Sequence, residues 1–205
     1  MKILSVADRV EPFLLERIQA EKAFDIELIL SCGDLPPEYL TSLVNAFDVP
    51  LFYVKGNHDI RYDTKPPEGC TNIHNKLTEF NGLKFLGLEG SRWYNGGPYQ
   101  YTEKQMQKII RGLKLGMWWQ GGVDVIISHA PPRHVNDAED RCHRGFKSFH
   151  RLIERYAPKY FIHGHIHAEF DRRRKRITTI NQTKVVNSYG HFFFEIDIQR
   201  QTPAQ

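Results

Sequence analysis

Short apolar runs alternate with amphipathic stretches along most of the chain. Ile3-Leu4-Ser5-Val6-Ala7 has the length and branching of a buried strand and stops at Asp8. Pro12 suits the first turn of a helix, and Leu14, Leu15 and Ile18 supply an apolar face behind it. Ile26 to Ser31 predicts a second strand, stopping at Gly33-Asp34. Leu40, Leu43, Val44 and Phe47 then fall on one face of a 3.6-residue helix. Leu51-Phe52-Tyr53-Val54 predicts a third strand and stops at Gly56-Asn57-His58-Asp59. This strand–helix–strand–helix–strand opening predicts parallel pairing with right-handed crossovers.

The alternation continues. Lys84 to Leu88 reads as a strand. Thr102 and Gln105 have capping-box spacing before a helix carrying Met106, Ile109, Ile110 and Leu113. Val123 to Ser128 predicts a strand ending at His129. A helix with Phe149, Leu152, Ile153 and Tyr156 on one face follows. Tyr160-Phe161-Ile162 then leads into His163-Gly164-His165-Ile166-His167. From Ile177 to Ile198 the chain is strand-rich, with a turn expected near Asn181-Gln182. No repeat, linker or low-complexity segment interrupts it, so residues 1–205 are expected to form a single domain.

Composition narrows the function classes. Of the 205 residues, 40% are hydrophobic and 12% aromatic, enough for a sizeable core and against disorder. No apolar run approaches the ~18–20 residues that span a bilayer, so no membrane partner is expected. The first residues read as a strand rather than a signal peptide, and a cytoplasmic location is the default expectation. A net charge of +4 permits an anionic partner without demanding one. Cys32, Cys70 and Cys142 form no CxxC pair, which argues against a disulfide framework and a thiolate zinc site.

The ten histidines are the unusual count. Strand after strand ends in a metal-competent side chain: Asp8, Asp34, Asn57-His58-Asp59, His129, then His165 and His167. The carboxyl ends of parallel strands line one crevice, so these groups are expected to meet there. Clustered aspartates repel, and a bound cation relieves that repulsion. Carboxylate oxygen with imidazole nitrogen and no thiolate suits manganese first, with iron, zinc, nickel or cobalt as alternatives. Two such cations can clamp the attacking and leaving oxygens of a displacement at phosphorus.

Asp8, Gly33-Asp34, Gly56-Asn57-His58-Asp59, Ser128-His129-Ala130-Pro131-Pro132 and Gly164-His165-Ile166-His167, in that order, resemble the motifs of the calcineurin-like metallophosphoesterase family. The resemblance implies an α/β fold: a four-layer α/β/β/α sandwich around two mixed sheets. It implies two divalent metal ions, Asp34 bridging them, Asp8 and His167 on the first, and Asn57, His129 and His165 on the second. His58 would contact the phosphate and protonate the leaving oxygen, with Asp59 orienting it. The activity implied is hydrolysis of a phosphate mono- or diester, on a phosphorylated small molecule, by attack of metal-bound hydroxide.

The family's first motif is usually Asp-x-His, and here it reads Asp8-Arg9-Val10. Val10 cannot coordinate, so the first site is expected to be weaker. Arg9 is expected to point at a phosphate oxygen. Asp140 and His143, in the polar stretch after His129, are read either as walls of the substrate pocket or as part of a solvated loop. Arg92-Trp93-Tyr94-Asn95 is either an aromatic platform for the leaving group or packing. His163 is expected to face away from the crevice, His74 and His150 to be surface or packing residues, and His191 is left open. Arg172-Arg173-Arg174-Lys175-Arg176 is read as a solvated hairpin end, or else as a track for nucleic-acid phosphates. A nuclease, or a protein-interaction scaffold of the same fold with weak catalysis, are the rival functions.

Overall fold

The structure is a computed structural model, and it describes residues 1–16, 25–168, 170 and 176–198. Its elements run β1 (Lys2–Ala7), α1 (Phe13–Glu16), β2 (Leu28–Ser31), α2 (Pro37–Phe47), β3 (Leu51–Tyr53), a 3-10 helix (Asp59–Asp63), β4 (Cys70–Asn72), β5 (Leu77–Phe80) and β6 (Leu83–Leu88). Then follow β7 (Ser91–Arg92), β8 (Gln100–Tyr101), α3 (Glu103–Trp119), β9 (Val125–Ser128), α4 (Lys147–Tyr156), β10 (Tyr160–His163), β11 (Ile177–Ile180), β12 (Thr183–Asn187) and β13 (Gly190–Glu195). Ile18, expected on the apolar face of the first helix, lies outside the described residues.

Local chemistry explains the boundaries. Pro37 opens α2, where its missing N–H has no helical partner to lose. Asp48 closes that helix in the left-handed region. Thr102 and Gln105 form the expected capping box at the start of α3. Asn181, at φ 51°, makes the tight turn that joins β11 and β12 as an antiparallel hairpin.

Two mixed sheets organise the molecule. One has the order β13-β1-β2-β3-β4, the other β11-β12-β10-β9-β6-β5, and a small β7–β8 pair stands apart. In the first, β1 to β4 are parallel and β13 runs antiparallel beside β1. In the second, β12, β10, β9 and β6 are parallel, with antiparallel strands at both edges.

The period-two alternation of each strand divides its side chains between two cores. Ile3, Leu28, Leu30 and Phe52 of one sheet meet Phe85, Val125, Ile127 and Ile162 of the other. On the outer faces, Leu4, Val6 and Ile29 pack with Leu14 of α1 and with Leu40 and Leu43 of α2. Leu86, Ile126 and Phe161 pack with Met106 and Leu113 of α3 and Phe149 and Ile153 of α4. Helix, sheet, sheet and helix make the expected four layers. Among the described residues no helix is long and apolar enough to cross a membrane.

Candidate metal centre

Expected ligands leave the ends of β1, β2 and β3 in one sheet and of β9 and β10 in the other, so the crevice lies between two sheets rather than along one. The loops interlock through their backbones: Asp8 N–H donates to Gly33 O at 3.1 Å, and Gly164 N–H to His129 O at 3.0 Å. Asp8, Asp34 and His165 each take up a left-handed backbone conformation, at φ 63°, 56° and 67°. Such strained turns at strand ends aim the side chain into the gap. The approach is too close for a side chain at Gly56, whose Cβ would overlap the Asp34 carboxylate. At Gly164 a Cβ would lie 2.6 Å from Asp8 Oδ2.

Three side chains converge on His129 Nε2. Asn57 Oδ1 lies at 3.0 Å, His165 Nδ1 at 3.1 Å and Asp34 Oδ2 at 3.3 Å. The far ring nitrogens are tied to backbone carbonyls: His129 Nδ1 to Cys32 O and His165 Nε2 to Cys142 O, both at 2.8 Å. A carbonyl only accepts, so those nitrogens carry hydrogen and the facing pair, Nε2 of His129 and Nδ1 of His165, are left as electron-pair donors. Two imidazole donors, a carboxylate and an amide oxygen pointed at one spot repel unless a cation or a proton lies among them. The donor set fits a divalent ion.

Electrostatics describe the same point. Burial opposes charge on His129, but the carboxylates of Asp34 and Asp8 outweigh it and lift the imidazole to about 9. A proton there does what a cation would do. Burial works against the Asp34 carboxylate too, yet the His129 cation and its hydrogen bonds hold it down to about 2. Burial and the His129 charge push His165 down to about 3. Burial and the like charge of Asp34 push Asp59 up to about 6.

The other expected half is sparser. Asp8 is a buried carboxylate that accepts from His165 N–H at 2.9 and 3.1 Å. Its Oδ1 lies 3.6 Å from His167 Nε2, and the His167 ring stacks on Tyr189 with centroids 4.9 Å apart. Val10 is exposed and supplies nothing. Among the described residues, the acid, imidazole and thiol groups that cluster within 4.8 Å of one another are Asp34, His129 and His165. Asp8 and His167 stand beside them as a pair.

Two expectations are corrected. Asp59 does not orient His58. Its Oδ2 accepts from Asp34 N–H at 2.8 Å and Gly56 N–H at 2.7 Å, because the turns there leave two amides, one buried and one part-buried, without strand partners. His58 itself is exposed, and its own N–H donates to Asp34 Oδ1 at 2.9 Å. Arg9 is not aimed at a phosphate. Its Nε and Nη2 donate to Glu11 Oε1 at 2.8 and 2.5 Å, and its guanidinium lies 5.2 Å above the Tyr189 ring. The nearly buried Glu11 carboxylate, two residues on, demands that cation.

The loop after His129 does reach the centre. His143 Nδ1 is held by Asp140 at 3.0 Å, and the His143 ring centroid is 5.2 Å from that of His165. Arg133 pairs with Asp137 at 2.6 Å and Glu139 at 2.7 Å and anchors this loop. His163 is buried, accepts from Asn136 Nδ2 at 3.4 Å, and is pushed by burial to about 4. His74 faces Glu89, and His150 faces Glu154. His191 packs between Phe13 and Phe193, 3.7 Å from Glu11. Of the basic run, 172–175 lie outside the described residues. Arg176 is half-buried and donates to the carbonyls of Asn187 and Tyr189.

Sequence reasoning missed the groups that orient the ligands. Tyr94 Oη accepts from Asn57 Nδ2 at 3.3 Å, which turns Asn57 Oδ1 toward His129. Tyr94 was legible as an aromatic loop residue, not as a partner of Asn57. The carbonyls of Cys32 and Cys142 leave no trace in residue identity.

The calcineurin-like phosphoesterase family matches residues 10–169, a span that holds every expected ligand except Asp8. Over 127 residues the chain is 28% identical to UPF0046 protein C25E10.12 of Caenorhabditis elegans; the aligned stretch covers 58% of this chain and 41% of that protein. The chain thus spans less than half the length of that curated relative. Among solved structures, the TT1561 protein of Thermus thermophilus superposes with a TM-score of 0.64 at 16% identity, covering 92% of this chain and 89% of that one. A dimetal phosphatase from Danio rerio gives 0.59 at 13%, covering 93% and 87%. These likenesses establish the fold.

Proposed function

The chain belongs to the calcineurin-like phosphoesterase family, and from that premise we propose that it hydrolyses a phosphate ester of a small molecule at a divalent-metal centre. The observation that carries the proposal is the convergence of Asp34, Asn57 and His165 on His129 Nε2 within 3.0–3.3 Å. These four residues would hold one ion, with manganese the expected metal. Asp8 and His167, with Asp34 shared, would hold a second ion more weakly. Ions held there supply positive charge to the phosphoryl oxygens and lower the pKa of water toward neutrality.

The chain's own groups do the rest. Asp59 fastens the Asp34 and Gly56 turns together, which sets Asn57 and His58 beside Asp34. The exposed His58 ring would contact the phosphate and give its proton to the leaving oxygen as the bond from phosphorus to that oxygen breaks and one from phosphorus to water forms. His143, held by Asp140 against His165, would form a wall of the substrate mouth. An exposed imidazole beside such a cluster has no structural task, which favours an enzyme over a scaffold.

Bound metal after dialysis against manganese, together with turnover of chromogenic aryl phosphates, tests this reading. We expect at least one ion per chain and manganese-dependent hydrolysis, the diester-to-monoester ratio then defining the preferred ester. A chain that retains no divalent ion, or binds it and hydrolyses neither ester, sinks the proposal.

A further inference from the structure

The outer end of α3 carries features the metal centre does not use. Its last turns leave Leu115, Trp118 and Trp119 at 73%, 72% and 81% exposure, while the same helix buries Met106, Ile110, Leu113 and Met117. Large apolar groups clustered so far out of a surface mark an interaction site. Beside them stand Arg111 and Lys114 of α3 and Arg151 and Arg155 of α4. These four cations line a groove of about 510 Å³ with Ile110 and Leu152, and the groove continues past Leu115 and Trp118.

None of the four has a carboxylate partner among the described residues. Of the nearby acids, Glu103 accepts from the first N–H groups of α4, while Glu154 lines the same groove beside the four cations, 3.6 Å from His150. Lys104 and Lys108 extend the exposed positive row along α3. Four cations against one acid leave the groove net positive, and such a cluster attracts a polyanion.

We propose that this end of the molecule docks on an anionic lipid bilayer. Leu115, Trp118 and Trp119 enter the interfacial layer, and Arg111, Lys114, Arg151 and Arg155 meet the headgroup phosphates. An indole is apolar with one polar N–H and settles at headgroup depth. Single-sign basic clusters are drawn to anionic leaflets. Apolar side chains this far exposed need no matching pocket in a bilayer, as they would in a protein. A second copy would bring the same cations face to face, on a chain of net charge +4. The lack of a spanning segment, which led to the expectation of no membrane partner, does not bear on surface docking.

The orientation is consistent with turnover. α3 is ~25 Å long. It starts at Thr102, just after the loop that carries Tyr94, and it ends at the opposite end of the sheet, where Lys84 at the start of β6 donates to Gln120 O. Docking by the Trp119 end leaves the crevice facing solvent.

Flotation of the full chain with phosphatidylcholine vesicles, with and without phosphatidylglycerol, tests the proposal. We expect recovery with the anionic vesicles at low salt, and loss in high salt and with neutral vesicles. The double variant Trp118→Ala/Trp119→Ala, and separately Arg111→Glu/Lys114→Glu, should lower partitioning about tenfold or more. Both should keep wild-type circular dichroism and wild-type metal content. Absence of flotation with anionic vesicles at low salt overturns the proposal, as does flotation that neither variant weakens. Concentration-dependent dimerisation abolished by the tryptophan variant, or capture of an acidic protein through these residues without vesicle binding, also overturns it.

Discussion

The two halves of the candidate metal centre are built differently. On one side three donors lie within 3.0–3.3 Å of a fourth, His129 Nε2, and their far atoms are pinned by Cys32 O, Cys142 O and Tyr94 Oη. On the other, a buried carboxylate faces one half-exposed histidine at 3.6 Å, and the position that would complete the set is an exposed valine. Affinity for a cation follows donor number and how firmly the donors are held before it arrives. The difference teaches that the two groups of donors should differ in affinity for a cation, and that the denser one is ordered by partners a motif does not mention.

The largest test breaks the dense half. His129→Ala or Asp34→Asn should lower manganese affinity at least ~100-fold and abolish ester hydrolysis; unchanged metal content by equilibrium dialysis would refute the assignment. Next, His58→Ala should reduce kcat by about 10²–10⁴ while leaving metal content intact, which separates proton transfer from ion binding. A loss of metal in that variant would instead make His58 a ligand. Val10→His should strengthen the sparse half, tightening the second equivalent of manganese about tenfold in a titration; no change would mean that the backbone at this position cannot present a ligand. Smallest is Arg9→Ala. Because Arg9 serves Glu11 and Tyr189, KM for an aryl phosphate should move less than ~2-fold, whereas a clear rise would restore Arg9 to the substrate.

Much of the fold was readable in the residues. The strand–helix alternation, the capping box of α3, the hairpin at Asn181 and the strand-rich tail all follow from local pattern. β4 and β5 did not, since Cys70-Thr71-Asn72 and Leu77-Thr78-Glu79-Phe80 are short, half-exposed edge strands without a strong apolar signal. The expected metal ligands follow from residue type and order at strand ends; the structure gathers Asp34, Asn57 and His165 on His129 and leaves Asp8 and His167 beside them as a pair. Asp59 and Arg9 were assigned wrong partners, because a carboxylate beside a histidine and a guanidinium beside a site look functional until the buried groups competing for them are seen.

The sequence by itself determined which residues end the strands and what donor chemistry they carry, for that depends on residue type and short-range periodicity. Only the tertiary structure decided that two sheets share the site, that Asp8 receives the backbone N–H of a residue 157 positions away, and that Asp59 braces backbone while Arg9 answers Glu11. Those choices rest on which buried donors and acceptors find each other across the fold, and that is settled when the layers pack.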